Sequence, residues 1–292
     1  MKPAAFDYVA VRTAQEAVFA LAEEPGEARI LAGGQSLVLD MNYRRERPAR
    51  LVDINGVAEL DRLDVSDKTL RVGALVRHRS FEEPVVTGPL GRLLSRVSHY
   101  IAHPPIRTRG TMIGSLAYAH PAAEWPAVAV ALDAELTLSG PEGVRTVPAS
   151  GFFHGPFATA RRRQELLTEA RLPLLDENKN SGVGFAEQRR TQASFAMAAA
   201  VATLTVDEGK VVTARIALAN AADRPLRARR AEESLLGRPP GTEVFAEAGR
   251  RAAQEADPRP EPHAGVAYRR QTIKVLVHRA LQQALTEITE RV

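Results

Sequence analysis

Two glycine-containing segments constrain this chain more than any other feature in it. One is Ala32-Gly33-Gly34-Gln35-Ser36, which follows the short strand-like run Arg29-Ile30-Leu31. The other is Thr108-Arg109-Gly110-Thr111-Met112-Ile113-Gly114-Ser115, which follows the breaker His103-Pro104-Pro105. Each comes after one element and leads toward a helix. Glycine lets the main chain approach a phosphate with no Cβ in the way. Successive N–H groups at such a turn form an anion-binding concavity. The hydroxyls of Ser36, Thr111 and Ser115 add donors, so two such turns facing each other would suit a pyrophosphate. Spacing alone leaves an ordinary tight turn as the commoner explanation of either segment. Neither fits G-x-G-x-x-G or the phosphate-loop pattern ending in G-K-[ST], and Gly182-Val183-Gly184 lacks both a third glycine and a following helix.

The elements around these turns alternate. Thr13 to Ala22 reads as an amphipathic helix with Thr13 as N-cap, Glu16 at the capping-box position and Pro25-Gly26 as its end. Leu37 to Tyr43 opens as a helix and Leu51 to Ile54 is a strand. Leu70 to Leu75 is another. Leu90, Leu93, Leu94, Val97 and Ile101 form one apolar helical stripe. The segment from Ile106 to Ser115 reads as irregular. Pro121 to Leu132 reads as a helix that Pro126 should kink or restart. Glu135 to Leu138 pairs with Val144 to Val147, and Glu165 to Leu172 is one more strand. Pro173 to Ser181 is the best boundary in the chain. Beyond it lie strands at Gly184 to Arg189, Ala198 to Val206 and Val211 to Ala219, the last two joined by the turn Asp207-Glu208-Gly209-Lys210. Helices follow at Arg227 to Leu236, Glu243 to Ala256 and about His263 to Glu290.

Composition narrows the chemistry. With no cysteine among 292 residues, the chain can carry no thiolate-ligated iron–sulfur cluster, no cysteine zinc site and no cysteine nucleophile. The arginine clusters at 44–50, 161–163 and 227–230 lack interleaved aromatics, which favours a solvated or partner-facing surface over nucleic acid. Met1 to Ala10 has no apolar signal-like run, and Phe195 to Val206 is too short to span a bilayer, so a cytoplasmic protein with no membrane span is expected. His78, His99, His103, His154, His263 and His278 are scattered without metal-ligand spacing. No H-E-x-x-H or G-x-S-x-G motif is present. Neither a metal site nor a catalytic residue is expected.

The run Ile30 to Leu37, followed by Leu51-Val52-Asp53-Ile54-Asn55, resembles the first FAD motif, A-G-G-x-S-L with a following L-[VI]-D-I, of the medium subunits of molybdenum hydroxylases, the xanthine dehydrogenase and carbon monoxide dehydrogenase class. Arg107 to Ala117, then Pro121 to Glu124, resembles the second motif, R-N-R-G-T-I-G-G-S-L-A with P-A-A-D. Glu165 to Pro173, Arg190 to Phe195 and His263 to Arg270 resemble three later strings of the same family, in the same order. The resemblance implies an α+β chain: a two-lobed, vanillyl-alcohol-oxidase-like (PCMH-type) FAD-binding domain over residues 1–175, with lobes of about 1–56 and 57–175. A C-terminal three-stranded antiparallel sheet with helices would follow over 180–290, of the carbon monoxide dehydrogenase flavoprotein type.

It also implies FAD held between the lobes. Ala32, Gly33, Gly34, Gln35, Ser36 and Leu37 would hold it from one side, and Thr108, Thr111, Gly114 and Ser115 from the other. Tyr118, His120 and Glu124 would lie along it, and Leu172 on a strand passing the flavin. The partners implied are a [2Fe–2S] small subunit, which delivers electrons, and a molybdenum-cofactor large subunit. Departures from the family pattern are Ile113 for a glycine, Thr108 for asparagine, Tyr118 and His120 for histidine and aspartate, Ser194 for aspartate, and Glu187 where members often have lysine. A β-branched residue suits neither positive φ nor a close phosphate approach. Ile113 therefore motivates a third expectation, an assembly protein that has lost FAD. The second is a free-standing FAD-dependent oxidase or monooxygenase, in which Tyr118 or His120 could deliver a proton.

Overall fold

The computed structural model describes every residue except Met1, 24–26, 176–179, His263 and 291–292. Pro25 and Gly26, part of the expected boundary at 173–181, and His263 at the expected start of the last helix lie outside the described residues.

The first lobe is β1 (Asp7–Ala10), α1 (Ala14–Glu23), β2 (Ala28–Leu31), α2 (Leu37–Asn42) and β3 (Arg50–Asp53). Its parallel sheet has the order β1-β3-β2. The Glu16 N–H donates to Thr13 Oγ1 at 3.1 Å, as the sequence predicts. The Glu16 carboxylate, however, takes the N–H of Arg12 at 2.7 Å, one residue before the cap.

The second lobe contains β4 (Leu63–Ser66), β5 (Thr69–Gly73), α3 (Gly88–Ser98), α4 (Pro104–Arg107), α5 (Met112–Tyr118), α6 (Glu124–Ala131), β6 (Glu135–Gly140), β7 (Gly143–Pro148), α7 (Ala149–Phe152), β8 (Phe153–Gly155), β9 (Ala158–Thr159) and β10 (Leu166–Pro173). The main sheet runs β4-β5-β10-β6-β7, all antiparallel. Two expectations fail here for one reason. Proline disrupts a helix only after its first turn. Pro104 therefore starts α4 instead of ending order, and the segment expected to be irregular contains α4 and α5. Pro126 sits in the first turn of α6, so the helix begins at Glu124 and not at the expected Pro121.

The C-terminal part is a sheet of β11 (Ser181–Arg189), β12 (Ala196–Asp207), β13 (Lys210–Ala219) and β14 (Leu226–Arg227), with α8 (Arg229–Glu233), α9 (Thr242–Glu255) and α10 (Val266–Thr289). Three long antiparallel strands are joined by a two-residue edge strand that takes Arg227 from the expected helix. Glu208 and Gly209 both have positive φ in the β12–β13 hairpin. The period of two along β11 divides its side chains between two cores. Val183 and Phe185 face the two N-terminal lobes, while Ala186 lies with the core beneath α9 and α10. On that α10 side, a Cβ added to Gly182 or Gly184 would lie 1.9 Å from the carbonyl oxygen of Ala284 or Ala280. These glycines let the helix seat directly on the sheet.

Several of the clustered arginines are structural. Arg45 faces Asp40, Arg50 pairs with Glu23, Arg162 with Glu142, and Arg227 with Glu232 and Asp133. Among the described residues no helix is long and apolar enough to cross a membrane, and no three His, Asp or Glu side chains converge on a metal-sized site.

Candidate functional site

The two glycine segments meet. A Cβ on Gly33 would lie 2.4 Å from the carbonyl oxygen of Arg109 and 2.7 Å from the Cα of Gly110, so only glycine permits this contact. Gly34 takes φ +72°, a left-handed value that favours glycine. Arg77 clamps the junction. Its guanidinium donates to the Arg109 carbonyl at 2.5 Å and to Asn55 Oδ1 at 2.7 Å, and Asn55 Nδ2 in turn donates to the Ala32 carbonyl at 2.9 Å. Asn55 is fixed from below by Asp53, whose other oxygen accepts from the Tyr8 hydroxyl at 2.5 Å. Beneath the second loop, His78 closes on Gly110 and accepts the Trp125 indole N–H at 2.9 Å. Burial, then the charges of Arg107 and Arg77, lowers the His78 pKa to about 3, so it stays neutral.

The junction leaves a set of donors unpaired. Among the described residues, no protein acceptor takes the N–H groups of Gly33, Gly34, Gln35 and Ser36, or those of Thr111 and Ile113. The hydroxyls of Ser36 and Ser115 likewise make no protein hydrogen bond, and both residues are half-buried. The Gln35 side chain turns inward to the Gly33 carbonyl at 3.0 Å and Leu37 opens α2, so they shape the first loop. Thr111 caps α5 by accepting the Gly114 N–H at 2.9 Å, and the Thr108 hydroxyl donates to Pro105 at 2.8 Å. Gly114 is exposed, with open space beyond Thr111. A row of converging, unpaired N–H and O–H donors is the chemistry an extended di-anion requires.

Ile113 does not obstruct that row. It lies inside α5 with ordinary helical backbone and its side chain is in the core. The expected closure of the site fails because the side chain points away from the loop that its backbone helps to form.

The remaining predicted residues divide. Tyr118 donates to the buried Asp40 carboxylate at 2.9 Å, and burial together with Asp40 pushes its pKa up to about 12. This ties the phenol to Asp40 and keeps it protonated. His120 stacks on Phe195 with ring centroids 3.9 Å apart, and Phe157 meets its edge at 5.3 Å. Burial lowers its pKa, and its Nδ1 accepts the Ala122 N–H at 3.1 Å, so it is neutral with its proton on Nε2. Glu124 opens α6 and is 5% exposed. Leu172 is buried in the core opposite Leu70.

The C-terminal part anchors this region. The Asn220 N–H donates to the Pro121 carbonyl at 2.8 Å, and Asn220 Oδ1 accepts from the fully buried Arg269 at 3.2 Å. Sequence reasoning missed Arg77, Asp40, Asn220, Phe157 and the pairing of His78 with Trp125. The only signal for Arg77 was a cation at the end of the strand-like run Leu70 to Leu75.

Fold and donors together define a two-lobed protein whose loop junction has the chemistry to hold an extended di-anion such as a dinucleotide pyrophosphate. Residues 4–175 match the model of the FAD binding domain in molybdopterin dehydrogenase, and residues 184–284 match that of the CO dehydrogenase flavoprotein C-terminal domain. The chain is 38% identical to the 6-hydroxypseudooxynicotine dehydrogenase complex subunit alpha of Paenarthrobacter nicotinovorans, covering 98% of this chain and 96% of that one. It is also 38% identical to the caffeine dehydrogenase subunit beta of a Pseudomonas species, over 85% of this chain and 83% of that one. The structure of carbon monoxide dehydrogenase from Hydrogenophaga pseudoflava superposes with a TM-score of 0.94 at 33% identity, covering 98% of this chain and 99% of that chain. The chain belongs to the FAD-binding flavoprotein family of the molybdopterin dehydrogenases, and it is an FAD-binding oxidoreductase subunit. These relatives favour a subunit over a free-standing oxidase.

Proposed function

We propose that the chain is the flavin relay of a molybdenum hydroxylase complex. It takes electrons from a [2Fe–2S] small subunit, itself served by a molybdenum-cofactor large subunit, and passes them to an external acceptor. The observation that carries this reading is the convergence of unpaired donors where Gly33 meets Arg109 and Gly110. Bound FAD supplies the redox chemistry, and the protein supplies binding, orientation and electrostatics. Ala32 to Leu37 hold the pyrophosphate from one lobe, with the N–H groups of Gly33 to Ser36 and the Ser36 hydroxyl as donors. Thr108, Thr111, Gly114 and Ser115 form the opposing wall, in which Ser115 donates and Thr111 fixes the turn. Tyr118, His120, Glu124 and the strand that carries Leu172 line the rest. The cysteine-free composition supports a division of labour in which the cluster lies on another chain. Relatives described as subunits or medium chains of dehydrogenases support the same partners. The FAD-binding unit is taken as 1–175 and the C-terminal unit as 180–290, in keeping with the two family matches. The compartment in this proposal is the cytoplasm.

The test is the visible spectrum of the purified chain before and after FAD is added, followed by mixing with the reduced cluster subunit. A flavin spectrum that bleaches on mixing is the expected result. A spectrum that FAD cannot change would overturn the proposal.

A further inference from the structure

The chain has one tryptophan, and its indole N–H is used inside the molecule. Trp125 is 1% exposed on α6, directly after Glu124, and packs on Phe81 with ring centroids 5.3 Å apart. Its Nε1–H donates to His78 Nδ1 at 2.9 Å, which leaves the His78 proton on Nε2. His78 is itself tied to the second glycine segment. Its main-chain N–H donates to the Gly110 carbonyl at 2.9 Å, and the Met112 N–H donates to the Val76 carbonyl at 3.2 Å. Arg77 and Thr111 form an antiparallel bridge between these two bonds. The ring edge that carries Cδ2 and Nε2 stands against Gly110: a Cβ there would lie 2.7 Å from Cδ2 and 2.8 Å from Nε2. Gly110 in turn is a residue against which Gly33 rests. Trp125, His78, Gly110 and Gly33 therefore form one chain of contacts that ends where the two loops meet. An apolar side chain at position 78 would fill the same space. Only an acceptor takes the indole proton, so a hydrogen bond and not packing alone fixes the plane of the ring and its reach toward Gly110.

We propose that His78 and Trp125 form a spacer that sets the second glycine loop against the first, and so places the N–H groups of Thr111 and Ile113 for the pyrophosphate of FAD. The proposal rests on the flavin reading above. Both are positioning residues that act through Gly110, and no bond is made or broken. The spacer also joins the two parts of the second motif, because Trp125 follows Glu124 in α6 while His78 holds the loop at residues 110–112.

The matched sizes of ring and glycine give the test, a double-mutant cycle read as the FAD dissociation constant of the full chain by flavin fluorescence. Gly110→Ala puts a methyl group against the ring and should weaken FAD about thirty-fold, the size of effect that residues in contact show. His78→Asn keeps an acceptor for the indole but removes the edge that faces Gly110, and should weaken FAD about ten-fold. The double variant should bind FAD as well as His78→Asn alone, because the new methyl enters the space that the ring vacated. The second readout is the single indole N–H resonance in a proton–nitrogen correlation spectrum, which saturating FAD should move in wild type. Multiplicative losses in the double variant would overturn the proposal, and so would an indole resonance that saturating FAD leaves in place. If Gly110→Ala does not fold, the indole resonance decides it. A wild type that binds no FAD overturns the flavin reading and the spacer together, whereas multiplicative losses in a chain that binds FAD overturn the spacer alone.

Discussion

Glycine does two different jobs in the two halves of this molecule. At Gly33 the missing Cβ brings one loop against another and leaves N–H groups with no protein acceptor among the described residues. At Gly182 and Gly184 it brings a helix against a strand, with nothing left over. Both are close approaches of backbone to backbone, and in sequence both look like glycine spaced by one or no residue. What separates them is what lies behind: hydroxyl residues and a helix start in the first case, alternating apolar residues in the second. One close approach serves a ligand and the other a core.

That contrast can be broken by substitution. The largest effect is expected for Gly184→Val, which drives a branched side chain into the Ala280 carbonyl of α10. It should cost about 3 kcal/mol of stability, as overpacking of a tight core does, in a chemical-denaturation curve. Equal stability of this variant and wild type would show that the helix does not need the glycine. Gly33→Ala should reverse the pattern. Its melting temperature should change little, while its FAD dissociation constant should rise about a hundred-fold, because parting the loops misaligns several charge-assisted hydrogen bonds at once. A variant that binds FAD normally would remove Gly33 from the cofactor seat. Arg77→Ala loses the clamp but keeps the glycines, and about a ten-fold weakening is expected in the same titration, the loss of one hydrogen bond to a braced loop. The smallest change is Ser115→Ala, which deletes one donor and should weaken FAD by about five-fold with an unchanged melt. If it melts early instead, Ser115 belongs to the packing and not to the site.

Much of the fold could be read from periodicity because apolar stripes record burial directly. The stripe from Leu90 to Val97 is buried as α3, and the β12–β13 turn forms with the residues expected of it. The failures cluster at proline. Pro104 and Pro126 both start helices, and a proline's effect depends on a helix register that its neighbours do not reveal. Within the site, the loops could be found because backbone exposure leaves a glycine signature. The braces could not. Arg77, Asn220 and Asp40 act through contacts with residues 32, 99 and 78 positions away, and no local pattern marks such a partner. Asn220, for example, sits between Ala219 and Ala221 with nothing to suggest that it reaches Pro121. Ile113 shows the reverse error: a residue conspicuous against a motif proves harmless once its side chain direction is known.

The bond from Asn220 to Pro121 and the stacking of Phe195 on His120 carry a consequence for modularity. A chimera joined between residues 173 and 181 would look conservative on a sequence map. It would nevertheless pair one parent's Tyr118-to-Glu124 loop with the other's Asn220 and Phe195. Recombination among relatives should therefore succeed when these two groups travel together, whatever the origin of the rest.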